Sequence, residues 1–127
     1  AAHSNDAAHV IQDTLNFDAA VAVANAFATT HLNTLLIVTA DHETGGMQVS
    51  TTPRGTVDED GPFWMPDGMP FYVTWQSRHH TSQDVPGTAA GPWAGLLTGR
   101  YENTHIYDVM ALMLRRWRVY LPVVVRQ

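Results

Sequence analysis

Residues 34–40 (TLLIVTA) form a nearly continuous apolar run, β-branched in places, that stops at Asp41-His42 and is followed by Gly45-Gly46. Such a run reads as a strand buried on both faces, the pattern of a parallel sheet covered by helices. In open α/β sheets, ligands bind in the crevice beyond the carboxyl ends of the strands. Asp41 and His42, both competent to bind a metal, therefore fall where such a sheet does its chemistry.

The flanking sequence supports the same class. Val10, Ile11, Leu15, Val21, Ala24, Phe27 and Ala28 recur at helical spacing between Asp6 and His31, and the Asn16–Asp18 region offers a break and a new cap. Two consecutive helices, or one kinked helix, are predicted, with Asn33 as C′ residue. After Gly45-Gly46, MQVSTTP alternates as a more exposed strand ending at Pro53. Residues 54–70 are turn-rich and acidic, and read as a surface loop or insertion. FYVTWQ (71–76) is another strand candidate, again followed by polar residues, SRHHTSQ. PGTAAGP (86–92) suits tight packing or a short edge strand. Asn103 or Thr104 can cap a last helix whose stripe is Ile106, Val109, Met110, Met113, Leu114 and Trp117. The tail, residues 115–127, is strand-like from Tyr120 and carries no assigned role.

Composition narrows the function. A chain of 127 residues with 45% apolar composition suits one globular domain. Its net charge of -5, with no basic cluster before Arg115, Arg116 and Arg118, argues against general nucleic-acid binding. No apolar run is long enough to span a bilayer. Cysteine is absent, so a metal site must use histidine, carboxylate and water. Such a donor set fits Zn²⁺ with open coordination positions, which points to hydrolysis rather than to a structural metal.

Seven histidines are candidates, and most have simpler explanations. His9 and His31 belong to the first helical segment, and His105 to the first turn of the last; surface or helix-end roles suffice. His42 stands out because it follows Asp41 at a strand end. His80 follows a second predicted strand with His79 competing beside it, and His3 lies at a loop-to-helix junction. Two zinc ions about 3.5–4 Å apart would clamp the attacking and leaving oxygens of a phosphoryl transfer, but four local ligands are too few for two complete sites.

Three motifs resemble the alkaline phosphatase family, in the C-terminal part of its catalytic domain. His3-Ser4-Asn5-Asp6 matches the family's Asp-x-x-x-His pattern from its histidine onward. Thr39-Ala40-Asp41-His42 matches its strand-end T-A-D-H, and His80-Thr81, followed by Ala89–Pro92 (AAGP), matches its downstream His-Thr. The resemblance covers residues 1 to about 114. It implies an α/β fold: the C-terminal portion of a three-layer sandwich with a central, mostly parallel sheet, the whole of 1–127 forming one partial catalytic domain.

The resemblance further implies that His3 and His80 bind a first zinc, which activates water, and that Asp41 and His42 bind a second, which activates a serine nucleophile. His79 is then a neighbour, and Thr44 stands where some relatives carry another histidine. Glu43 receives no catalytic role, and Gly45 and Gly46 read as backbone turn residues. The first zinc's aspartate, the serine nucleophile, its arginine clamp and the magnesium ligands would lie upstream of Ala1; Ser50, Thr51 and Ser82 are not in the nucleophile's context. The implied activity of the complete protein is zinc-dependent phosphate monoester hydrolysis through a phosphoserine, with Mg²⁺ also bound. The isolated chain is expected to be an inactive fragment whose partners are the phosphate monoester, the remainder of the phosphatase chain and a second subunit. No nucleic acid or membrane partner is expected, and relatives point to a periplasmic or secreted location. Two other readings remain open: a non-catalytic metal-binding or assembly module, and a sulfatase or phosphodiesterase of the same superfamily.

Overall fold

A computed structural model describes residues 1–116; Trp117, Arg118 and the predicted strand-like tail lie outside the described residues. The chain opens with a 3₁₀ turn, Ala2–Ser4, which carries His3 and ends at Asn5 in the left-handed region (φ 52°). Asparagine tolerates that conformation better than most residues. Asp6 then caps α1 (Ala7–Thr30), its carboxylate accepting the His9 N–H at 3.0 Å.

Helix α1 runs unbroken through residues 16–18, where a break or kink was the expectation. The Asn16 carboxamide that might have capped a new helix instead accepts from Gln12, one turn earlier, at 3.1 Å. The C-cap of α1 is His31, so Asn33, predicted as the C′ residue, falls one position beyond C′.

Seven short strands follow, and those of the described residues pair only antiparallel. β1 (Leu36–Thr39) pairs with β7 (Gly87–Ala90), and β2 (Glu43–Thr44) with β6 (His80–Thr81). β3 (Gln48–Ser50), β5 (Pro70–Thr74) and β4 (Asp60–Trp64) form a three-stranded sheet with β5 in the middle. The fold is mixed α/β as expected, but the mostly parallel sheet is not formed by these strands. The predicted strand 34–40 does form, yet as β1 it is half-buried rather than covered on both faces. Among the described residues α1 packs on it and β7 pairs with it.

The loop predicted at 54–70 is only partly a loop. Residues 54–59 form an exposed turn closed by the Glu59 carboxylate, which accepts from the Arg54 and Gly55 amides. The chain then enters β4, an edge strand whose register shifts between Asp60 and Phe63. Gly61 and Pro62 within that shift disguise the strand, since proline is tolerated at edges and bulges. The last helix, α2 (Thr104–Arg116), buries Val109 and half-buries Ile106 and Met113, while Met110 and Leu114 of its predicted stripe are exposed. Among the described residues the fully buried apolar side chains are Ala7, Val73, Leu97 and Val109, a small core. No helix among them is long and apolar enough to cross a membrane.

Candidate metal centre

Two glycines make the corner on which the site is built. Gly45 has φ 90° and a Cβ there would stand 2.7 Å from Trp75 Cε3; Gly46 has φ 59°, with Gln76 Cβ at 2.9 Å. Only glycine fits both the backbone angle and the space. The tight approach lets the Gly45 amide donate to His79 O (2.9 Å) while Gly45 O accepts from Gln76 N and Ser77 N. The segment after β1 is thereby sewn to the segment before β6, and His42 is carried to His80. Their rings stack with centroids 3.5 Å apart.

His3 arrives from the other side. Its Nδ1–H donates to Arg78 O at 2.8 Å, and Asn5, with its amide oriented to suit its neighbours, donates to Ser77 O at 2.8 Å. The 3₁₀ turn is thus fastened to the segment that leads into β6 at His80, and the two Nε2 atoms, His3 and His80, stand 3.2 Å apart.

Behind this turn Asp60 performs a similar task. Its Oδ2 accepts from the Ala7 N–H (3.1 Å), an otherwise orphan donor at the start of α1, and from Trp75 Nε1 (3.2 Å). Trp75 in turn abuts Gly45.

All four predicted metal ligands are therefore neighbours, arranged as two pairs. In the first, a carbonyl can only accept, so the Arg78 contact fixes the proton of neutral His3 on Nδ1 and leaves the Nε2 lone pair facing His80. In the second, His42 Nδ1 lies 3.3 Å from Glu43 O and 3.3 Å from Thr44 Oγ1, and its Nε2 faces Asp41 Oδ2 at 3.3 Å. The other Asp41 oxygen accepts the His42 amide. Fixing the outer ring nitrogen on a carbonyl is how metal-binding histidines are commonly oriented.

Donor spacing provides a test of fit. Two imidazole nitrogens on one tetrahedral Zn²⁺, at 2.0–2.1 Å each, stand about 3.3–3.4 Å apart. The 3.2 Å between His3 and His80 is close to that. Yet among the described residues no three His, Asp or Glu side chains converge as a ready-made metal cluster. Each pair offers two donors, fewer than the three protein ligands of a catalytic zinc. The residues present fit a zinc-binding role as two half-sites that need further ligands.

The remaining histidines have local partners. His9 contacts Asp6 at 2.6 Å, His31 stacks on Phe27, and His105 Nε2 donates to Leu96 O at 2.8 Å. His79 contributes its backbone to the corner. Glu43, given no catalytic role from sequence, lies at the centre of the corner: its carboxylate accepts from the Gly46 N–H (3.0 and 3.1 Å), the Met47 N–H (3.4 Å) and the Thr81 hydroxyl. The Thr81 hydroxyl, followed by the amides, holds this carboxyl below the usual glutamate range, against the opposing effect of burial. Its sequence signal is a carboxylate three residues ahead of the second glycine of a Gly-Gly turn. Asp60 had no comparable signal, because it sits in the acidic turn-rich stretch.

Asp41 and His42 also line one end of a groove of about 650 Å³, whose far wall includes Tyr101, Asn103 and an Arg100–Asp84 ion pair at 2.7 Å.

A mixed α/β scaffold thus brings three histidines and an aspartate together as two neighbouring pairs. Residues 1–61 match the family model described as alkaline phosphatase. Over 120 residues the chain is 33% identical to streptomycin-6-phosphate phosphatase from Streptomyces griseus, covering 89% of this chain and 26% of that protein. Two variants of TAB5 alkaline phosphatase, each solved with magnesium in its M3 site, superpose with TM-scores of 0.72 at 30% identity, over 89% of this chain and 32% of theirs. By these comparisons the chain is similar to the alkaline phosphatase family. It spans about a quarter of the curated relative's length and about a third of the solved chains.

Proposed function

We propose that this chain carries two half-sites of a two-zinc phosphate monoesterase, His3 with His80 for one zinc and Asp41 with His42 for the other. The observation that carries the proposal is the pairing of acceptor atoms at 3.2 and 3.3 Å around the His42–His80 stack. Arg78 O holds the ring of His3 and leaves its Nε2 lone pair turned to His80, while Glu43 O and Thr44 Oγ1 flank Nδ1 of His42, whose Nε2 faces Asp41. Bound zinc supplies Lewis acidity, which lowers the pKa of water and stabilises an alkoxide beside the phosphoryl group. Asp41 adds negative charge that favours a cation at His42.

The family reading assigns the attacking group to a serine that becomes phosphorylated. None of the serines among these 127 residues stands in that context, so this chain by itself turns over no phosphate ester. The remainder of a phosphatase chain, Mg²⁺ bound by ligands outside these residues, a homodimeric assembly and a periplasmic or secreted location belong to the same proposal. Exposed Leu15, Phe17, Val23 and Phe27 on α1 support it, since a helix apolar on several faces is normally covered.

The test is a graft. Residues 1–114 replace the matched segment of the Streptomyces griseus enzyme, and hydrolysis of an aryl phosphate is followed with and without zinc. Zinc-dependent turnover that disappears with His42→Ala is the expected result. A folded graft that is inactive at every zinc concentration, or active regardless of His42, would overturn the proposal.

A further inference from the structure

The ladder between β2 and β6 is two residues long, Glu43 opposite Thr81 and Thr44 opposite His80. So short a ladder does not fix a register by itself. The strands nevertheless hold the His42 and His80 rings 3.5 Å apart. One side chain spans the gap. Glu43 sits next to His42 and opposite Thr81, which is next to His80, and its two oxygens reach both sides of the corner.

We propose that Glu43 is the positioning residue of the histidine cluster: its carboxylate joins the Gly46 amide to the Thr81 hydroxyl and so sets the spacing of His42 and His80. Glu43 does not approach the metal-facing nitrogens of those rings; it acts through the backbone on either side. Hydrogen bonds to an ionised acceptor are shorter and stronger than neutral ones, which suits a clamp on two short strands. The Thr81 contact crosses the two strands, and the Gly46 contacts close the turn that Gly45 fastens to His79. Losing such an outer partner typically costs about 10–100-fold in metal affinity.

The inference rests on the zinc reading above, and the experiment separates the two. Zinc affinity of the 127-residue chain is measured by calorimetry, and the nuclear Overhauser effect between the His42 and His80 ring protons is measured without metal. Both are recorded for the unmodified chain, Glu43→Gln, Glu43→Ala and Thr81→Val. Glutamine retains an acceptor for the amides and a donor that the Thr81 hydroxyl can accept, so its affinity should stay within about threefold and the ring contact should persist. Glu43→Ala should lose about 10–100-fold in affinity together with the ring contact, and Thr81→Val should fall between them. If Glu43→Ala does not fold, the comparison of Thr81→Val with Glu43→Gln carries the decision.

A Glu43→Ala chain that folds, keeps the ring contact and binds zinc as tightly as the unmodified chain overturns the inference. So does a Glu43→Gln chain as impaired as Glu43→Ala, because charge rather than placement would then be the operative property. An unmodified chain that shows a Glu43-dependent ring contact but binds no zinc overturns the zinc reading and leaves the positioning role standing.

Discussion

The corner around Gly45 and the layer formed by α1, β1 and β7 are built to different degrees of completeness. In the corner, Glu43, Asp60, His3 and His42 all have partners, and no buried side-chain polar atom among the described residues lacks one. In the layer, Leu15, Val23 and Phe27 are 60, 72 and 53% exposed, and among the described residues β1 is paired on one edge. Hydrogen bonds between residues brought together by a glycine turn can be closed within this chain. Apolar surface can be removed from water only by more protein. The local geometry of the corner is therefore closed among the described residues, while the layer behind it leaves apolar surface exposed among them.

The strongest way to break the corner is at Gly45. An alanine there must hold φ near 90° and push its Cβ into Trp75, so Gly45→Ala should lose roughly 2–4 kcal/mol from backbone strain and overpacking together. A shift of the denaturant midpoint with unchanged slope would register it, and an unchanged midpoint would refute the packing described. Next comes Asp60→Ala, which strips the partner from both Ala7 N–H and Trp75 Nε1–H. A loss of roughly 1.5–3 kcal/mol is expected, the range for hydrogen bonds to a charged group, again read by chemical denaturation. Asp60→Asn, which keeps an acceptor, should recover part of it.

A smaller effect concerns the start of α1. The His9 amide and ring hold the Asp6 carboxyl below its ordinary value of 3.8. A carboxyl depressed on folding contributes stability that is complete above that value and lost as pH falls through the lower, folded value. Helical ellipticity followed from pH 5 to pH 2 should fall below pH 3.8, and Asp6→Asn, which can still cap, should flatten that part of the curve. Smallest of all is the layer. Val23→Gln should change the stability of this chain by less than about 0.5 kcal/mol while reducing binding of a hydrophobic dye. A large loss of stability would show that Val23 is already packed.

The same contrast explains what was legible in sequence. Asp41, His42 and His80 drew attention because they directly follow apolar runs, and His3 was set beside them by the family resemblance; the structure makes the four neighbours. The helices were legible from periodicity and β1 from its near-continuous apolar run. Pairing was not: β1 finds β7, a strand of glycine, threonine and alanine with little pattern of its own. β4 was hidden because Asp60, Gly61 and Pro62 are turn residues by local preference, and only β5 alongside makes them a strand. The break expected near Asn16 failed because a side-chain contact one turn away outweighed a capping preference. Glu43 and Asp60 escaped notice as organisers because their partners lie 38 and 53 residues away, respectively, for Thr81 and Ala7.

The central claim, that His3 with His80 and Asp41 with His42 each contribute to a zinc site, is tested most directly by zinc K-edge absorption on the loaded graft of residues 1–114. Imidazole scattering, with nitrogen and oxygen neighbours at about 2.0–2.2 Å, is predicted, and it should weaken in both His80→Ala and His42→Ala. A spectrum of hydrated zinc without imidazole, or one unchanged by both substitutions, would contradict the account.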